Sequence, residues 1–553
     1  MTSIDSATIN IVANAMHGAA QEMGLNLMRS ARSTIIREAR DFSCALLDAE
    51  GRLVAQAENA PIQMASLSLP LESCLRRYPA GTLDADDVFF TNDPYEGGQH
   101  LQDLIVFLPI ISGGQLLGFA GSVAHHIDIG GGAPGLTLDA ADIHAEGLRF
   151  TAMRLKVTDF DDGGFISDIV KANFREPITS MGDLRAQLAA CHVGRERLIE
   201  ISERYGAEVL AQCIDASLDH SEALMRAVIS DLPDGQYAAE DMVDSGVTTP
   251  DPIKVSLMIT VAGDSLTCDF AGTDLQTDDF LNVPIASTLA AVHSAIAMFA
   301  VAGGRRISVN AGSFRPVTVD VPSGSFLNPV SPAAVRARMC GAYRAFDATL
   351  MALQLAAPER VPALGFNVNT TVGFTRRSED GFRIFIEDLG GGWGATPATD
   401  GADMLDAPLS NCKITPTEVL ELDHPYLRIV QYAYVPDSGG DGEFRGGLGS
   451  VREYEVIEDG VSFFAYADRH AFSPRGAAGG DPGTRGSFSV VSGGNETTLA
   501  SKSSLPVARG DSVRVIVGGG GGFGIASARA PGARLMDLRN GKVTTDTCRG
   551  AHE

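Results

Sequence analysis

The strongest constraint on this chain is a predicted β-hairpin whose open end carries histidines and aspartates. Residues 104–111 are almost all apolar, which indicates a buried strand that is too short to span a membrane. Gly113 and Gly114 then predict a tight turn, because glycine accepts positive φ at little cost. Residues 116–123 predict the returning strand. A chain that forms this hairpin brings polar residues from two separate segments to one place.

The register of the hairpin decides which histidine reaches the polar end. With the two glycines as the central turn residues, Asp103 lies opposite Ala124 and His126 lies opposite Leu101. Residues two apart on a strand share a face, so Asp103 and His126 are predicted to project to the same side. His125 then projects to the other side. A slip of one residue would exchange the two histidines.

A metal-binding cluster is the functional interpretation of this end. His100 lies three residues before Asp103, which on a regular strand is the wrong face, but a loop or bulge at Gly97 and Gly98 can turn it back. His100, Asp103 and His126 would then offer two imidazoles and one carboxylate, a set that suits zinc, manganese or iron(II). A single HxxD pattern and a histidine pair also occur in purely structural roles, and the residues alone leave that alternative open.

Length and charge place the chain among ordinary folded proteins. Its 553 residues suffice for two to four lobes with a large core. The content of 44% hydrophobic and 20% charged residues is typical of globular rather than disordered or fibrous chains. The net charge of -26 argues against a nucleic-acid partner, because phosphate recognition needs clustered lysine and arginine.

The N-terminal stretch and the cysteines predict a cytoplasmic protein. The stretch MTSIDSATINIVANAM has no basic start and no sustained apolar core of the kind a secretory signal needs. We expect no membrane helix, because no stretch comes near roughly 20 consecutive apolar residues. The eight cysteines are scattered without a CxxC pair, which is typical of reduced thiols in a cytoplasm.

The remaining patterns predict an α+β fold, a multi-lobed mixed architecture in which antiparallel hairpins pack with helices. Hydrophobic periodicity predicts helices at 4–39, 183–205, 207–229, 283–301 and 332–356, and strands at 41–48, 53–56, 235–243, 253–261 and 265–270. Asp183 is the predicted cap of the second helix. We divide the chain into an N-terminal metal-site region (1–234), a middle α/β region (235–364) and a glycine-rich, strand-rich C-terminal region (365–553).

Glycine runs and arginines allow further interpretations. GGGWG at 390–394 and GGGGG at 518–522 suggest phosphate loops, but neither matches a Walker or dinucleotide-binding pattern. We therefore predict that these glycines let backbone approach backbone or a partner subunit. Four arginines are candidates for meeting an anionic substrate, although arginines on helices usually cover solvent-facing surface: Arg315, Arg336, Arg338 and Arg344.

Several motifs in a fixed order resemble one enzyme family. TNDPYEGGQHLQD at 91–103 and AHHIDIGG at 124–131 resemble the signature of the hydantoinase B subunits of the hydantoinase/oxoprolinase/acetone carboxylase family. The resemblance continues through RDFSCALLD, NAGSFRPV, LNPVSPAAVRAR, GGGWGATPATDG, PDSGGDGEFRGGLG and GGGGGFG. It implies a hydantoinase B-like fold and a chain that carries a divalent metal, zinc or manganese with iron as a third option.

The resemblance also implies site residues and a partner. Asp41, in RDFSCALLD, becomes the candidate fourth metal ligand beside His100, Asp103 and His126. Asp128 and Glu146 become candidates for orienting ligands or moving protons. Such enzymes are hetero-oligomers in which a hydantoinase A-like ATPase subunit, with ATP and Mg, phosphorylates the carbonyl oxygen of a small cyclic amide or ketone.

Three functions remain in competition on this basis. The favoured one is the metal-bearing catalytic subunit of an ATP-dependent cyclic-amide hydrolase of the hydantoinase, oxoprolinase or lactamase type. The second is the metal-bearing subunit of an ATP-dependent ketone carboxylase, of the acetone or acetophenone type. The third is a non-catalytic scaffold subunit in which the histidines are structural. Dependence of ATP turnover on bicarbonate would separate the first two.

Overall fold

The computed structural model describes residues 4–57, 59–305, 307–379 and 381–544. Its α-helices, numbered in chain order, are α1 Ser6–Ser30, α2 Thr34–Arg37, α3 Ser68–Arg77, α4 Ile143–Glu146, α5 Phe165–Asn173, α6 Pro177–Tyr205, α7 Ala207–Ile229, α8 Ile285–Ala302, α9 Met339–Ala356, α10 Thr417–Asp423 and α11 Pro531–Arg539. Short 3-10 turns connect several of them, among them Pro61–Ser66.

The described residues contain nineteen strands. They are β1 Phe42–Asp48, β2 Leu53–Ala57, β3 Asp87–Thr91, β4 Asp103–Ser112, β5 Gln115–His125, β6 Met153–Lys156, β7 Gly235–Val243, β8 Ile253–Ala262, β9 Ser265–Asp269, β10 Val317–Asp320, β11 Thr370–Ser378, β12 Gly381–Leu389, β13 Leu427–Tyr434, β14 Ser450–Val456, β15 Val461–Tyr466, β16 Ser487–Ser492, β17 Asn495–Leu499, β18 Lys502–Val507 and β19 Ser512–Val517.

The strands form four sheets that are mostly antiparallel, which confirms the mixed fold with antiparallel hairpins and packed helices. The first sheet has the order β2–β1–β5–β4–β3–β6 and the second β10–β9–β8–β7. The other two have the orders β12–β11–β15–β18 and β13–β14–β19–β16–β17. In the first sheet β1 and β4 flank β5 on either side, so the end of β5 is held from two directions.

Contacts group the chain into two compact units. Unit 1 comprises Met1–Ala133, Ala140–Ala239 and Ser256–Arg338, and unit 2 comprises Pro134–Asp139, Glu240–Val255 and Met339–Glu553. In unit 1, helix α6 packs on β4 and β5, and α1 packs on α6. In unit 2, aromatic and aliphatic side chains of the third and fourth sheets form one buried core. The three regions predicted from the sequence remain a prediction about domains.

Three predicted helices have different ends in the structure. The first is interrupted after Ser30, where the Asp183 carboxylate accepts hydrogen bonds from the backbone N–H groups of Arg32 and Ser33. Asp183 therefore does not cap α6, which begins earlier, at Pro177. The predicted helix 332–356 begins only at Met339. The preceding loop carries arginine side chains and backbone groups to the candidate site described below.

One described helix has the length and composition of a membrane-spanning segment. Over Ile285–Ala302, α8 is long and apolar enough to cross a membrane by length and composition, and 56% of that window is buried. The helix contains no Asp, Glu, Lys or Arg. Serine, threonine and histidine residues interrupt its apolar sequence, so it is not a run of roughly 20 consecutive apolar residues. The helix packs against the 3-10 turn Pro61–Ser66, as a core helix of this composition does.

The C-terminal glycines confirm close backbone packing. In unit 2, the segment Gly518–Gly522 lies among several other backbone segments and exchanges hydrogen bonds with them. A Cβ atom at Gly520 would overlap with the Trp393 carbonyl oxygen, and one at Gly392 would overlap with the Gly447 carbonyl oxygen. A side chain at either position would therefore require backbone atoms to move, so the glycines have a packing role.

Candidate metal centre

The end of the β4–β5 hairpin brings His125 to Asp103, which corrects the predicted register. Asp103 pairs with His125 and Leu104 with Ala124. The turn pairs Ser112 with Gln115 as predicted, but the register shifts beside Ile110 and Ile111. One extra residue in β5 makes a β-bulge there, which moves every later pair by one position and exchanges the two histidines.

Three ligand atoms converge at this end. His100 Nε2 lies 3.1 Å from Asp103 Oδ1 and 3.1 Å from His125 Nδ1, and His125 Nδ1 lies 3.2 Å from Asp103 Oδ1. Two donors that are each about 2.1 Å from a metal ion lie about 3.0–3.4 Å apart when the angle between them is roughly 90° to 109°. The triangle formed by the three atoms therefore has the edge length that a shared divalent cation requires.

Asp41 lies beside this triangle on its more open side. Its Oδ2 is 3.6 Å from His125 Nδ1, and its Oδ1 accepts a hydrogen bond of 2.7 Å from Gln63 Nε2. The side chain is 17% exposed, whereas those of His100 and Asp103 are 2% and 1% exposed. Strand β1 begins next to the end of β5, and the His125 N–H donates to the Asp41 carbonyl oxygen. Asp41 thus lies close to His125, whereas the compact group of potential ligand atoms consists of His100, Asp103 and His125.

Buried partners orient the two inner ligands. His100 Nδ1 lies 3.0 Å from the Arg336 carbonyl oxygen, so the Nδ1–H donates there and Nε2 keeps its lone pair for the cluster. Arg338 donates to Asp103 Oδ2 at 2.8 Å and to Gln99 Oε1 at 2.9 Å. Asp103 is thereby left with Oδ1 directed at the histidines. The ligand set is preorganised by residues of the loop that precedes α9.

The electrostatics favour neutral histidines beside an ionised carboxylate. Burial, followed by the Arg338 charge, lowers the pKa of His100 to about 3. Burial also lowers the pKa of His125. Burial acts to raise the pKa of Asp103, but His100 and Arg338 outweigh it and hold that pKa well below its usual range. Neutral imidazoles and an ionised carboxylate are the protonation states that bind a divalent metal.

Glu146 lies one peptide group away from the cluster. Its Oε1 accepts hydrogen bonds from the N–H groups of Val335 (2.8 Å) and Arg336 (2.7 Å), and the Arg336 carbonyl oxygen faces His100. Burial raises the pKa of Glu146 to about 8, so the carboxyl group is protonated at neutral pH. Among the described residues, Oε2 has no hydrogen-bond partner. Glu146 therefore contacts the loop that supports His100 rather than the ligand triangle itself.

The structure directs two other candidates away from the triangle. His126 Nε2 lies 3.0 Å from Gln187 Oε1, and Gln187 Nε2 donates to the Leu104 carbonyl oxygen, so His126 joins the hairpin end to α6. Asp128 accepts hydrogen bonds from the backbone N–H and the guanidinium of Arg175. Both residues are buried, and both have partners that explain a structural role.

Comparison with known proteins places this chain in a family. Residues 5–526 match the family described as Hydantoinase B/oxoprolinase. The chain belongs to that family. A protein of Pseudomonas sp. (strain NS671), named as a proposed B component of a D-/L-hydantoinase, is 32% identical over 99% of this chain and 94% of its own length.

Solved structures agree with this family assignment. The ATP-dependent caprolactamase from Pseudomonas jessenii is 28% identical and superposes with a TM-score of 0.89, covering 99% of this chain and 96% of that one. A nucleotide-free acetone carboxylase structure superposes with a TM-score of 0.88 at 20% identity over 99% of this chain and 79% of that one, a likeness of fold. The predicted hydantoinase B-like fold is confirmed.

Sequence reasoning missed several parts of this candidate metal centre. It named His100 and Asp103, which the structure brings together, and Asp41, whose Oδ2 lies 3.6 Å from His125 Nδ1. It predicted His126 at the position beside Asp103 that His125 takes in the structure. It also missed the buried supports Gln99 and Arg338. Gln99 directly precedes His100, and this adjacency was a weak sign that it contributes to the site. Arg338 was predicted only as a candidate for meeting an anionic substrate, and nothing in the sequence linked it to Asp103.

Proposed function

We propose that this chain is the metal-bearing catalytic subunit of an ATP-dependent cyclic-amide hydrolase. The observation that carries the proposal is the convergence of His100 Nε2, Asp103 Oδ1 and His125 Nδ1, whose separations suit one divalent cation. Zinc, manganese and iron are all compatible with two imidazoles and carboxylates. In this proposal Asp41 completes the ligand set, and His125 takes the role that the sequence pattern predicts for His126.

Each residue around that centre has its own role in the proposal. A bound divalent cation supplies Lewis-acid chemistry, which polarises carbonyl groups and activates water. His100, His125 and Asp103 hold it from the buried side, and the partly exposed Asp41 borders the side from which a substrate enters. Arg338 keeps Asp103 ionised and oriented. Glu146 is a positioning residue, since its hydrogen bonds hold the loop whose carbonyl group fixes the His100 tautomer.

The partner and substrate belong to the same proposal. The similar proteins named above are a proposed hydantoinase component and an ATP-dependent caprolactamase, and both names refer to cyclic amides as substrates. A cyclic amide is a poor electrophile because resonance protects it. We therefore propose that a hydantoinase A-like ATPase subunit, with ATP and Mg, phosphorylates the carbonyl oxygen, and that this chain completes hydrolysis of the C–N bond in a hetero-oligomer.

Cytoplasmic localisation remains part of the proposal. The seven described cysteines are unpaired thiols and all are buried, which suits a reducing compartment. Cys548 lies outside the described residues.

Adjacent histidines supply a matched test of the metal centre. We expect the purified chain to contain close to one divalent metal per molecule, as measured by inductively coupled plasma mass spectrometry. The metal content of His125→Ala should be at least about tenfold lower than that of the parent chain, because the substitution removes a ligand. His126→Ala should keep it, because Nε2 of His126 faces Gln187. Equal metal loss in both variants, or none in either, would contradict the assignment.

The reaction itself is tested with the partner present. The chain should be combined with an ATPase subunit encoded beside it, and ATP turnover should be measured with lactams and hydantoins as substrates. A cyclic-amide hydrolase turns over without bicarbonate. Turnover that requires bicarbonate and a ketone would favour the carboxylase, which the fold likeness to acetone carboxylase keeps as the second candidate. Full activity of metal-free protein would favour the scaffold.

A further inference from the structure

The motif NAGSFRPV forms one wall of a cavity that the proposed reaction does not use. The cavity lies in unit 1 and has a volume of about 290 Å³. Its lining is mostly apolar and comes from β2, α3, α8 and the loop at 309–315: Leu53, Ser68, Leu69, Leu289, Ala290, His293, Val309, Asn310, Ala311, Phe314 and Arg315. None of these residues belongs to the candidate metal centre.

The loop that forms this wall is anchored to α7. Asn310 is buried, donates to Ser221 Oγ at 2.9 Å, and accepts a hydrogen bond from the N–H of Gly312. Gly312 lies so close to the backbone of Leu218 that a Cβ atom would overlap with the Leu218 carbonyl oxygen. The Ala311 N–H donates to the Leu53 carbonyl oxygen in β2. These contacts hold the wall in place, so the cavity is a preformed feature of the fold.

Helix α8 places an imidazole against this loop, in an apolar setting. His293 of α8 stacks on Phe314, with ring centroids 3.9 Å apart and planes inclined by 7°. Burial lowers the pKa of His293 to about 4, so at neutral pH the ring is uncharged, with one nitrogen that donates and one that accepts. The stacking fixes the ring orientation and thus the direction of its hydrogen bonds.

The remaining charge at the cavity is already neutralised. Arg315 donates to Asp219 at 2.7 Å and to Glu222 at 3.0 Å, both on α7. An ion that entered would lose hydration without gaining an unpaired countercharge, so its binding is disfavoured. The cavity should therefore discriminate against charged molecules.

We propose that this cavity is a binding site for an uncharged, largely apolar small molecule that carries one hydrogen-bonding group for His293. The volume of about 290 Å³ is close to the lower limit of ordinary ligand pockets, which favours a small ligand. The apolar ring or chain of such a ligand packs between α8 and the loop at 309–315. The proposal does not depend on the metal centre or on the reaction proposed above.

Calorimetric titration of the full chain with indole tests the proposal, because indole is uncharged, apolar and has one N–H donor. We expect saturable binding. Ala290→Leu and Ala311→Leu each fill part of the cavity and should weaken indole binding at least about tenfold. Ala211→Leu, on the exposed side of α7, is the matched control and should leave binding unchanged.

Selectivity distinguishes a built site from general apolar adsorption. His293→Phe keeps a ring in the stack but removes the hydrogen bond, so it should weaken indole binding at least about threefold while leaving toluene binding within about twofold. Indole-3-carboxylate should bind at least about tenfold more weakly than indole. Circular dichroism shows which variants are folded. One folded variant of the pair Ala290→Leu and Ala311→Leu is enough for the test. Unsaturable binding of indole, or binding unchanged in a folded filling variant, would overturn the proposal.

Discussion

At the scale of single residues, the site depends on which of two neighbouring histidines faces Asp103. The two have identical chemistry and differ only in direction, and the direction is set by one extra residue in β5. His125 faces the ligand triangle and His126 faces Gln187 on α6. Direction also matters for Asp103. One of its carboxylate oxygens faces the histidines, and the other accepts a hydrogen bond from Arg338.

The protonation of Glu146 leads to a prediction about pH. In the folded chain this carboxyl group keeps its proton up to about pH 8, whereas its ordinary pKa is 4.5. Unfolding therefore releases a proton between these pH values, and the free energy of unfolding falls as the pH rises through that window. The contribution of Glu146 to this decline is at most about 1.4 kcal/mol per pH unit.

Replacing Glu146 by glutamine should remove this contribution. We expect Glu146→Gln to become more stable relative to the parent chain as the pH rises from 5 to 8, as measured by urea unfolding at each pH. Glu208→Gln on the exposed face of α7 serves as the control for the substitution itself. A stability difference between parent and Glu146→Gln that does not change with pH would show that Glu146 is ionised in the folded chain.

At the scale of elements, loops rather than regular structure complete the site. The predicted helix 332–356 begins seven residues late, and the residues left out of it include Arg336 and Arg338, which meet His100 and Asp103. Had the helix begun at Pro332, its backbone groups would have paired within the helix. The Arg336 carbonyl oxygen would then not have been available to His100.

The packing of the C-terminal glycine segment leads to a second prediction. Gly520 contacts the Trp393 carbonyl group so closely that an added methyl group requires the backbone to move. Gly520→Ala should lower the free energy of unfolding by about 3 kcal/mol or more, because the atoms in conflict are backbone atoms that cannot change rotamer. Urea denaturation or the yield of folded protein measures this loss.

Gly532→Ala is the matched control in the same unit. Gly532 lies in α11, where nothing stands within 4 Å of an added Cβ atom, so its replacement should change stability by less than about 1 kcal/mol. Similar stability of the two variants would show that the glycine segment tolerates side chains and does not need its close backbone contacts.

At the scale of the whole molecule, the candidate ligands all belong to unit 1. Asp41, His100, Asp103 and His125 come from β1, β4, β5 and the adjoining loops, all of which lie within that unit. A ligand that binds the folded state alone stabilises it according to its concentration and affinity. Stabilisation by metal should therefore be greatest in the part of the chain that contains these elements.

Metal removal tests this expectation by hydrogen exchange. Treatment with a chelator should increase amide exchange in β4 and β5, especially toward Asp103 and His125, by about tenfold or more. Peptides from β14 and β19 in unit 2 serve as the internal reference and should change much less. A uniform increase in both units would mean that the metal stabilises the chain as a single cooperative whole, and no increase would argue against bound metal.

The sequence by itself determined the hairpin, the presence of the five longest helices and three of the candidate residues, His100, Asp103 and Asp41. These follow from local rules: apolar runs and glycine turns predict strands, 3.6-residue periodicity predicts helices, and several motifs in order indicate a family. Only the tertiary structure decided which histidine takes part, where Asp128 points and which arginine meets Asp103. Those outcomes depend on a one-residue bulge and on contacts between residues far apart in the chain, such as Asp128 with Arg175 and Asp103 with Arg338, which no local pattern records.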